Sequence, residues 1–251
     1  MDGNRELDGR VAVVTGAGRN IGRAIALALA AGGAAVVVNS RANLAEATAV
    51  AGEIEAAGGK ALPVTADVAD PAAVEKMVAA AVARFSRIDY LVNNAALRGE
   101  KRLPEMTHAD WRKVLDVILD GAFHCVKACL PYLQKSGAGA IVNMGGLSSH
   151  TGSQHRAHVV AAKSGLVGLT RALAHDLAAD NVTVNCVSPG LVATARAKDF
   201  VVPQHHAVHH TLSGRPGTPD DIAAVVRFLC GPGARFITGQ VIQASGGAFI
   251  S

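Results

Sequence analysis

The chain has 251 residues, of which 50% are hydrophobic and 18% are charged, and its net charge is +4. A composition of this kind suits one sizeable folded domain. No run of about 18 apolar residues occurs, so we expect no membrane span. The basic residues are scattered, which argues against nucleic-acid binding, and a ligand that carries phosphates accounts for the positive sign.

The cysteines and the start of the chain predict a cytoplasmic protein. The four cysteines show neither disulfide nor zinc spacing, and they are Cys125, Cys129, Cys186 and Cys230. We expect buried free thiols in a reducing compartment. The first ten residues are charged and lack the apolar core of a secretory signal.

Short β-rich runs alternate with longer helical patterns. Strands are predicted at residues 11–15, 35–39, 61–65, 89–93, 140–144, 182–187 and 241–244. Helices are predicted at residues 21–31, 44–57, 71–85, 111–133, 160–179 and 219–229. Apolar strands that alternate with helices indicate a parallel sheet covered on both faces. We therefore predict a single α/β domain over residues 1–251, a Rossmann-type doubly wound sheet of about seven strands, with a long irregular segment at 192–218.

A glycine-rich turn joins the first strand to the first helix and reads Thr15-Gly16-Ala17-Gly18-Arg19-Asn20-Ile21-Gly22. Glycines let the backbone approach a phosphate closely, and the amides that open the following helix face the anion. Between a strand and a helix, this pattern predicts a dinucleotide site formed by Gly16, Gly18, Arg19, Asn20, Ile21 and Gly22.

The end of the second strand predicts which dinucleotide binds. NAD sites place an acidic side chain there to hold the ribose hydroxyls, whereas this chain has Asn39, Ser40 and Arg41. The guanidinium groups of Arg41 and Arg19 match the oxygens of a 2′-phosphate. We therefore predict NADP(H), with ordinary surface charges as the alternative explanation of the two arginines.

Together with Asn93-Asn94-Ala95, Lys163 and Pro189-Gly190, the glycine turn makes the chain resemble the short-chain dehydrogenase/reductase family from end to end. The resemblance implies further cofactor contacts from Asp67, Val68, Asn93, Ala95, Lys163, Pro189, Gly190, Val192 and Thr194. It also implies that segment 192–218 covers the substrate. Helices 111–133 and 160–179 would pair subunits into a homodimer or homotetramer, with Cys125 and Cys129 near or within the interface.

Most of the family's catalytic groups are absent. The tyrosine of the family's Tyr-x-x-x-Lys motif falls on Val159, its serine falls on Gly146 and its asparagine falls on Ile118, so that only Lys163 is kept. None of the three replacements can donate a proton or hold an oxyanion. The usual carbonyl-reductase mechanism therefore cannot operate.

Other side chains are candidates for the missing role. Ser148 follows Gly146 on its loop, and Arg156 and, less favourably, His155 would face the pocket if the helix of Lys163 reaches back to them. Lys163 could hold ribose hydroxyls or transfer the proton itself. Several arginines near the expected pocket mouth indicate an anionic substrate, with solvated surface arginines as the alternative: Arg98, Arg102, Arg156 and Arg196.

The histidines His205, His206, His209 and His210 have metal-ligand spacing if they are helical. No carboxylate or cysteine completes a convincing set, so we predict a histidine-lined lid and no metal site. The leading interpretation is an NADP(H)-dependent oxidoreductase with a non-standard mechanism. The alternatives are a catalytically silent NADP(H)-binding partner or sensor, and a non-redox enzyme such as a lyase, isomerase or cyclase.

Overall fold

The computed structural model describes residues 5–194 and 210–250. Arg196, His205, His206 and His209 lie outside the described residues, so the predictions about the histidine-lined lid are not tested. Within the described part, no helix is long and apolar enough to cross a membrane. The same residues contain no group of three or more His, Cys, Asp or Glu side chains placed to hold a metal ion.

Seven parallel strands form one sheet in the order β3-β2-β1-β4-β5-β6-β7. The strands are β1 Val11–Val14, β2 Ala35–Ser40, β3 Ala61–Thr65, β4 Tyr90–Asn93, β5 Ala140–Met144, β6 Thr183–Pro189 and β7 Val241–Ala244. The predicted doubly wound sheet is confirmed. Its central strands are buried along their whole length, as expected of strands covered on both faces.

Helices cover both faces of the sheet. They are α1 Asn20–Ala31, α2 Leu44–Ala56, α3 Pro71–Phe85, α4 His108–Leu115, α5 Gly121–Lys135, α6 Ser148–Thr151, α7 Ala157–Asp176 and α8 Pro219–Cys230. Alternate residues of each strand point to opposite faces: Ala12 and Val14 pack with α1, α2 and α8, whereas Val13 packs with α3, α5 and α7.

The helix predicted over residues 111–133 is not continuous. A π-helical turn, Asp116–Asp120, separates α4 from α5, and the N–H of Gly121 bonds to the carbonyl of Asp116. Gly121 is pressed against Val68, where an added Cβ would lie 2.7 Å from Val68 Cγ2. Such a turn leaves the apolar spacing nearly unchanged, so periodicity did not reveal it.

Cys125 and Cys129, expected near or within a subunit interface, do not lie on the surface of the chain, and their nearness to an interface stays a prediction. Both side chains are fully buried within the single chain, in the core between the sheet and α3, α5 and α7. They are free thiols, and burial raises the pKa of Cys125 to about 12. Their spacing of one helical turn marks the face of α5 that packs on the sheet.

A buried carboxylate fastens the edge of the sheet where the strands begin. Asp89 directly precedes β4, and its side chain is 0% exposed. It accepts hydrogen bonds from Arg87 at 2.6 and 2.8 Å, Ser136 at 2.7 Å, Arg10 at 2.9 Å and the N–H of Val11 at 2.9 Å. Burial by itself would raise the pKa of Asp89, but these donors hold it below its ordinary value.

We expect Asp89→Asn to lower the free energy of unfolding at pH 7 by about 2–3 kcal/mol, because charged donors lose their acceptor. A depressed carboxyl pKa stabilises the fold above the unfolded value of about 3.9 and ceases to do so as the pH falls through the folded pKa. The difference between the two proteins, measured by urea unfolding, should therefore shrink below about pH 4. The control Asp8→Asn removes an exposed partner of Arg5 and should change stability little; an equal loss in both variants would contradict this account.

Candidate cofactor cleft and catalytic positions

The sheet has a switch point between β1 and β4, where the chain changes direction across the sheet. Ligands of doubly wound sheets bind at the carboxyl ends of the strands at such points. A cleft of about 700 Å³ lies there. It brings together twelve of the predicted cofactor residues: Gly16, Gly18, Arg19, Asn20, Ile21, Gly22, Asn39, Ser40, Arg41, Asp67, Val68 and Ala95.

The glycine turn is tightly wound. Gly16 has φ +62°, which is a left-handed conformation that favours glycine. A Cβ added to Gly22 would lie 2.2 Å from the carbonyl oxygen of Gly16 and 2.5 Å from Asn94 Nδ2. No side chain fits there, so the turn presents backbone to the cleft.

Thr15 and Asn94 join this turn to the end of β4. Thr15 Oγ1 accepts the N–H groups of Asn94 and Ala95, each at 3.0 Å. Asn94 Nδ2 donates to the carbonyls of Thr15 at 2.8 Å and Gly16 at 3.0 Å. The side-chain amide of Asn94 therefore holds the glycine turn against the end of β4.

Asn39 braces the turn from the side of β2. Its Oδ1 accepts the N–H of Gly16 at 3.2 Å, and its Nδ2 donates to the carbonyls of Ser40 at 3.2 Å and Ala66 at 3.1 Å. The side chain is almost fully buried. Arg19 and Arg41 are exposed on the cleft.

Asn94 and Ala96, which follow β4 as the resemblance implied, and Arg98, which was expected at the pocket mouth, also line the cleft. Sequence reasoning missed the remaining lining residues: Ala42, Asn43, Glu46, Ala66, Leu97 and Val117. Glu46 is the important one, because it brings a carboxylate into a cleft predicted to hold a phosphate. Its Oε2 lies 3.2 Å from the position of a Cβ on Gly18. Asn43 could have indicated the position of Glu46 from the sequence. It caps α2 by accepting the N–H of Glu46, which places Glu46 in the first turn of α2, beside the glycine turn.

Asn93 lies off the cleft lining and begins a buried hydrogen-bonded chain. Its Nδ2 donates to Asn143 Oδ1 at 2.9 Å, Asn143 Nδ2 donates to Thr170 Oγ1 at 2.9 Å, and Thr170 Oγ1 donates to the carbonyl of Leu166 at 2.7 Å. Asn93 Oδ1 is buried and finds no partner among the described residues. It is therefore an unsatisfied buried acceptor close to the carboxyl end of β4.

The segment after β6 also lies off the cleft lining. Pro189 accepts from the N–H of Leu147 at 3.0 Å, Gly190 donates to the carbonyl of Ala244 at 3.1 Å, and Val192 bridges Gly217. Thr194 Oγ1 is buried without a partner in the described part of the chain. Cofactor contacts from these residues remain predictions.

Lys163 is buried on α7, outside the cleft lining, and its Nζ donates to the carbonyl of Met144. Burial lowers the pKa of Lys163 to about 8; the charge of Cys186 opposes this shift, and Arg98 and Arg156 add to it. The ammonium of Lys163 thus titrates closer to neutrality than that of a surface lysine.

The two positions predicted from sequence to match the family's tyrosine and asparagine lie in one apolar cluster. Val159 is 4% exposed and Ile118 is 2% exposed. The cluster consists of Val114, Ile118, Ala122, Val159, Ala162 and Leu166. By contrast, a Cβ added to Gly146 would meet no described atom within 4 Å, so the serine position is open.

Three residues were predicted as substitutes for the missing catalytic groups, and they lie in different surroundings. Ser148 is buried at the start of α6, and His155 is exposed with φ +59°. Arg156 is half-buried and occupies the N-cap position of α7, which begins one residue later at Ala157, but its side chain makes no capping hydrogen bond. The helical geometry assumed for His155 and Arg156 therefore ends just short of them.

Known proteins share this architecture. A family model described as Enoyl-(Acyl carrier protein) reductase matches residues 16–248. A 3-oxoacyl-[acyl-carrier-protein] reductase of Synechocystis sp. is 40% identical over 242 residues, which are 96% of this chain and 97% of that protein. An uncharacterized oxidoreductase of Methylorubrum extorquens is 41% identical over 246 residues, or 96% and 98% of the two chains.

Solved structures agree with these sequence matches. The crystal structure of a short-chain dehydrogenase/reductase from Brucella melitensis has a TM-score of 0.88 at 35% identity, and the match covers 99% of this chain and 100% of that chain. That of a putative short-chain alcohol dehydrogenase from Sinorhizobium meliloti has a TM-score of 0.90 at 36% identity, with 96% and 97% covered. The family model, the relatives and the shared sheet make this chain a member of the short-chain dehydrogenase/reductase family.

Proposed function

We propose that the protein binds NADP(H) in the cleft between β1 and β4 and catalyses an oxidoreduction without the serine and tyrosine typical of its family. One observation carries the cofactor part of the proposal: the glycine turn that lines the cleft admits no side chain at Gly22. The reaction part rests on Val159 and Ile118, the residues at the positions assigned to the family's tyrosine and asparagine, which are buried and apolar.

The residues present fit a dinucleotide. Within the described chain, no side chain caps the first amides of α1, and its first turn holds no acidic residue. These amides are therefore available to a pyrophosphate. Asp67 and Val68 line the side of the cleft expected for the adenine.

The preference for NADP(H) rests on Arg19 and Arg41, both exposed on the cleft. Their guanidinium groups suit a 2′-phosphate. Glu46 opposes them, because its carboxylate repels a phosphate and could instead hold ribose hydroxyls. The proposal requires the attraction of the two arginines for the 2′-phosphate to exceed its repulsion by Glu46.

The reaction then depends on where the proton comes from. A nicotinamide bound in the cleft would supply or accept the hydride. Val159, Ile118 and Gly146 have no proton to give. We propose that Lys163 holds the ribose hydroxyls and exchanges a proton through Nζ, because its pKa of about 8 suits transfer near neutral pH. Water, Ser148, His155, Arg156 or a substrate group are the other proton sources.

The apolar cluster favours a second function, that of a catalytically silent NADP(H)-binding partner or sensor. An apolar wall at the position of a developing alkoxide offers it neither proton nor hydrogen bond. Cofactor binding without turnover on any carbonyl substrate would support this alternative.

We expect NADPH to bind more tightly than NADH, and Arg41→Asp to weaken NADPH about 10–100-fold, since a charge-assisted hydrogen bond contributes about 1.5–3 kcal/mol. Calorimetric titration of both cofactors measures this. Arg84→Asp, which exchanges an exposed arginine on α3, is the control and should bind as the unmodified protein does. Equal affinities for NADPH and NADH would contradict the assignment. Weaker NADH binding in Glu46→Gln would show that Glu46 holds the ribose.

We expect the unmodified protein to leave ketones and 3-oxoacyl thioesters unreduced, and Gly146→Ser with Val159→Tyr to create measurable NADPH oxidation. The open space at Gly146 accepts a serine. A restored general acid contributes about 10²–10⁴ in rate, and neither single change completes the unit.

The matched control is Gly146→Ser with Val159→Phe, which has the same ring without the hydroxyl and should be inactive. Thermal unfolding and NADPH titration check that both double variants are folded. Turnover by the unmodified protein at about 1–10³ s⁻¹ would overturn this account of the pocket.

We also propose that α5 and α7 pair subunits into a homodimer or homotetramer. Phe123 on α5 is 51% exposed, a large apolar surface that a partner subunit would cover. Light scattering at micromolar concentration should give a dimer or tetramer mass, and Phe123→Asp should reduce it while Lys76→Asp on α3 should not. A monomeric unmodified protein would refute the assembly.

A further inference from the structure

Two residues of α5 support one wall of the cleft from behind. Gly121 opens α5, and His124 lies one turn further along it. Both contact Val68, a residue of the segment that follows β3. Val68 lines the cleft, whereas Gly121 and His124 are not among its lining residues.

The imidazole of His124 holds the backbone at Val68. His124 is half-buried, and its Nδ1 lies 3.0 Å from the carbonyl oxygen of Val68. A carbonyl oxygen can only accept a hydrogen bond, so Nδ1 carries the proton and donates it. The two residues are 56 positions apart in the sequence. This hydrogen bond therefore joins α5 to a distant segment of the chain.

Close packing accompanies the hydrogen bond. A Cβ added to Gly121 would lie 2.7 Å from Val68 Cγ2, 3.1 Å from Val68 Cβ and 3.2 Å from the carbonyl oxygen of Val68. Only glycine lets α5 approach Val68 this closely. Gly121 thus sets the distance between the helix and the segment, and His124 bonds to the carbonyl at that distance.

The rest of this segment is held by β2 and by its own turn. The N–H of Ala66 donates to the carbonyl of Ser40 at 3.0 Å, and the carbonyl of Ala66 accepts from Asn39 Nδ2 at 3.1 Å. Asp67 Oδ1 accepts the N–H of Ala69 at 3.0 Å. None of these bonds reaches the carbonyl of Val68. Among the described residues, His124 is the only side chain that donates to it.

The wall that His124 supports is the one expected to contact the adenine, because Asp67 and Val68 line that side of the cleft. A lining segment binds well only when supporting contacts keep it in the bound geometry, and a displacement of about 1 Å is enough to weaken a site. A residue behind the wall can therefore change ligand affinity without touching the ligand.

We infer that His124 is a positioning residue for the adenine end of the cofactor, which acts by holding the carbonyl of Val68 while Gly121 allows the close approach of α5. The inference rests on the proposed binding of NADP(H), because it explains how one wall of that cleft keeps its shape. His124 takes no part in the transfer of hydride or protons.

The matched variants His124→Asn and His124→Leu test the hydrogen bond, because the two side chains have nearly the same shape and only Asn keeps an N–H donor. The probes are NADPH and adenosine 2′,5′-bisphosphate, which carries the adenine, ribose and 2′-phosphate without the nicotinamide. Calorimetric titration should show about 3–10-fold weaker binding of both probes to His124→Leu, as expected for one lost hydrogen bond. His124→Asn should restore most of the affinity.

Two further variants complete the set. Gly121→Ala keeps His124 but pushes Val68 away from α5, and it should weaken both probes as His124→Leu does. His108→Leu replaces an exposed histidine at the start of α4 and should bind both probes as the unmodified protein does. Amide hydrogen exchange without ligand should be faster for residues 67–70 in His124→Leu than in His124→Asn.

Thermal unfolding separates positioning from a general loss of stability. A lower unfolding temperature in His124→Leu with unchanged affinity for both probes would overturn the inference alone, as would an equal loss of affinity in His124→Asn and His124→Leu. Unchanged affinity in Gly121→Ala would also overturn it. If the unmodified protein binds no NADPH, the proposed function is contradicted and the inference falls with it.

Discussion

The close contact between Gly22 and the carbonyl of Gly16 is the constraint on which the cleft depends. A Cβ added to Gly22 would lie 2.2 Å from that oxygen. Only glycine can therefore occupy this position in the first turn of α1. Glycine loses more conformational freedom on folding than other residues, so the turn needs further contacts to keep this shape. Asn94 and Asn39 provide these contacts, because their side-chain amides form hydrogen bonds that join the turn to the ends of β4 and β2.

The sequence was informative wherever burial sets the pattern. Strands such as β1 and β2 are buried along their length, and their apolar runs predicted both their position and the parallel sheet. The spacing of apolar residues did not predict structural features that depend on a single contact between distant segments. Gly121 packs on Val68 at the π-helical turn, and Glu46 reaches the glycine turn from α2. Neither contact is visible in periodicity, since each joins residues far apart in the chain.

Val159 and Ile118, at the positions assigned from sequence to the family's tyrosine and asparagine, belong to the same apolar cluster. An unpaired polar group buried in such a cluster would cost about 1–3 kcal/mol. Gly146, at the position assigned to the serine, differs because an added Cβ would meet no described atom within 4 Å. If the sequence assignment holds, two of the three positions are therefore apolar and packed, whereas the third is open.

The surroundings of Lys163 account for its lowered pKa. A buried ammonium needs hydrogen-bond acceptors, and here the carbonyl of Met144 is the one that it contacts. One neutral acceptor offsets only part of the desolvation, and two nearby arginines oppose the charge further, so the pKa falls. Any ligand that brings hydroxyl oxygens or a negative charge to this end of the sheet stabilises the protonated form.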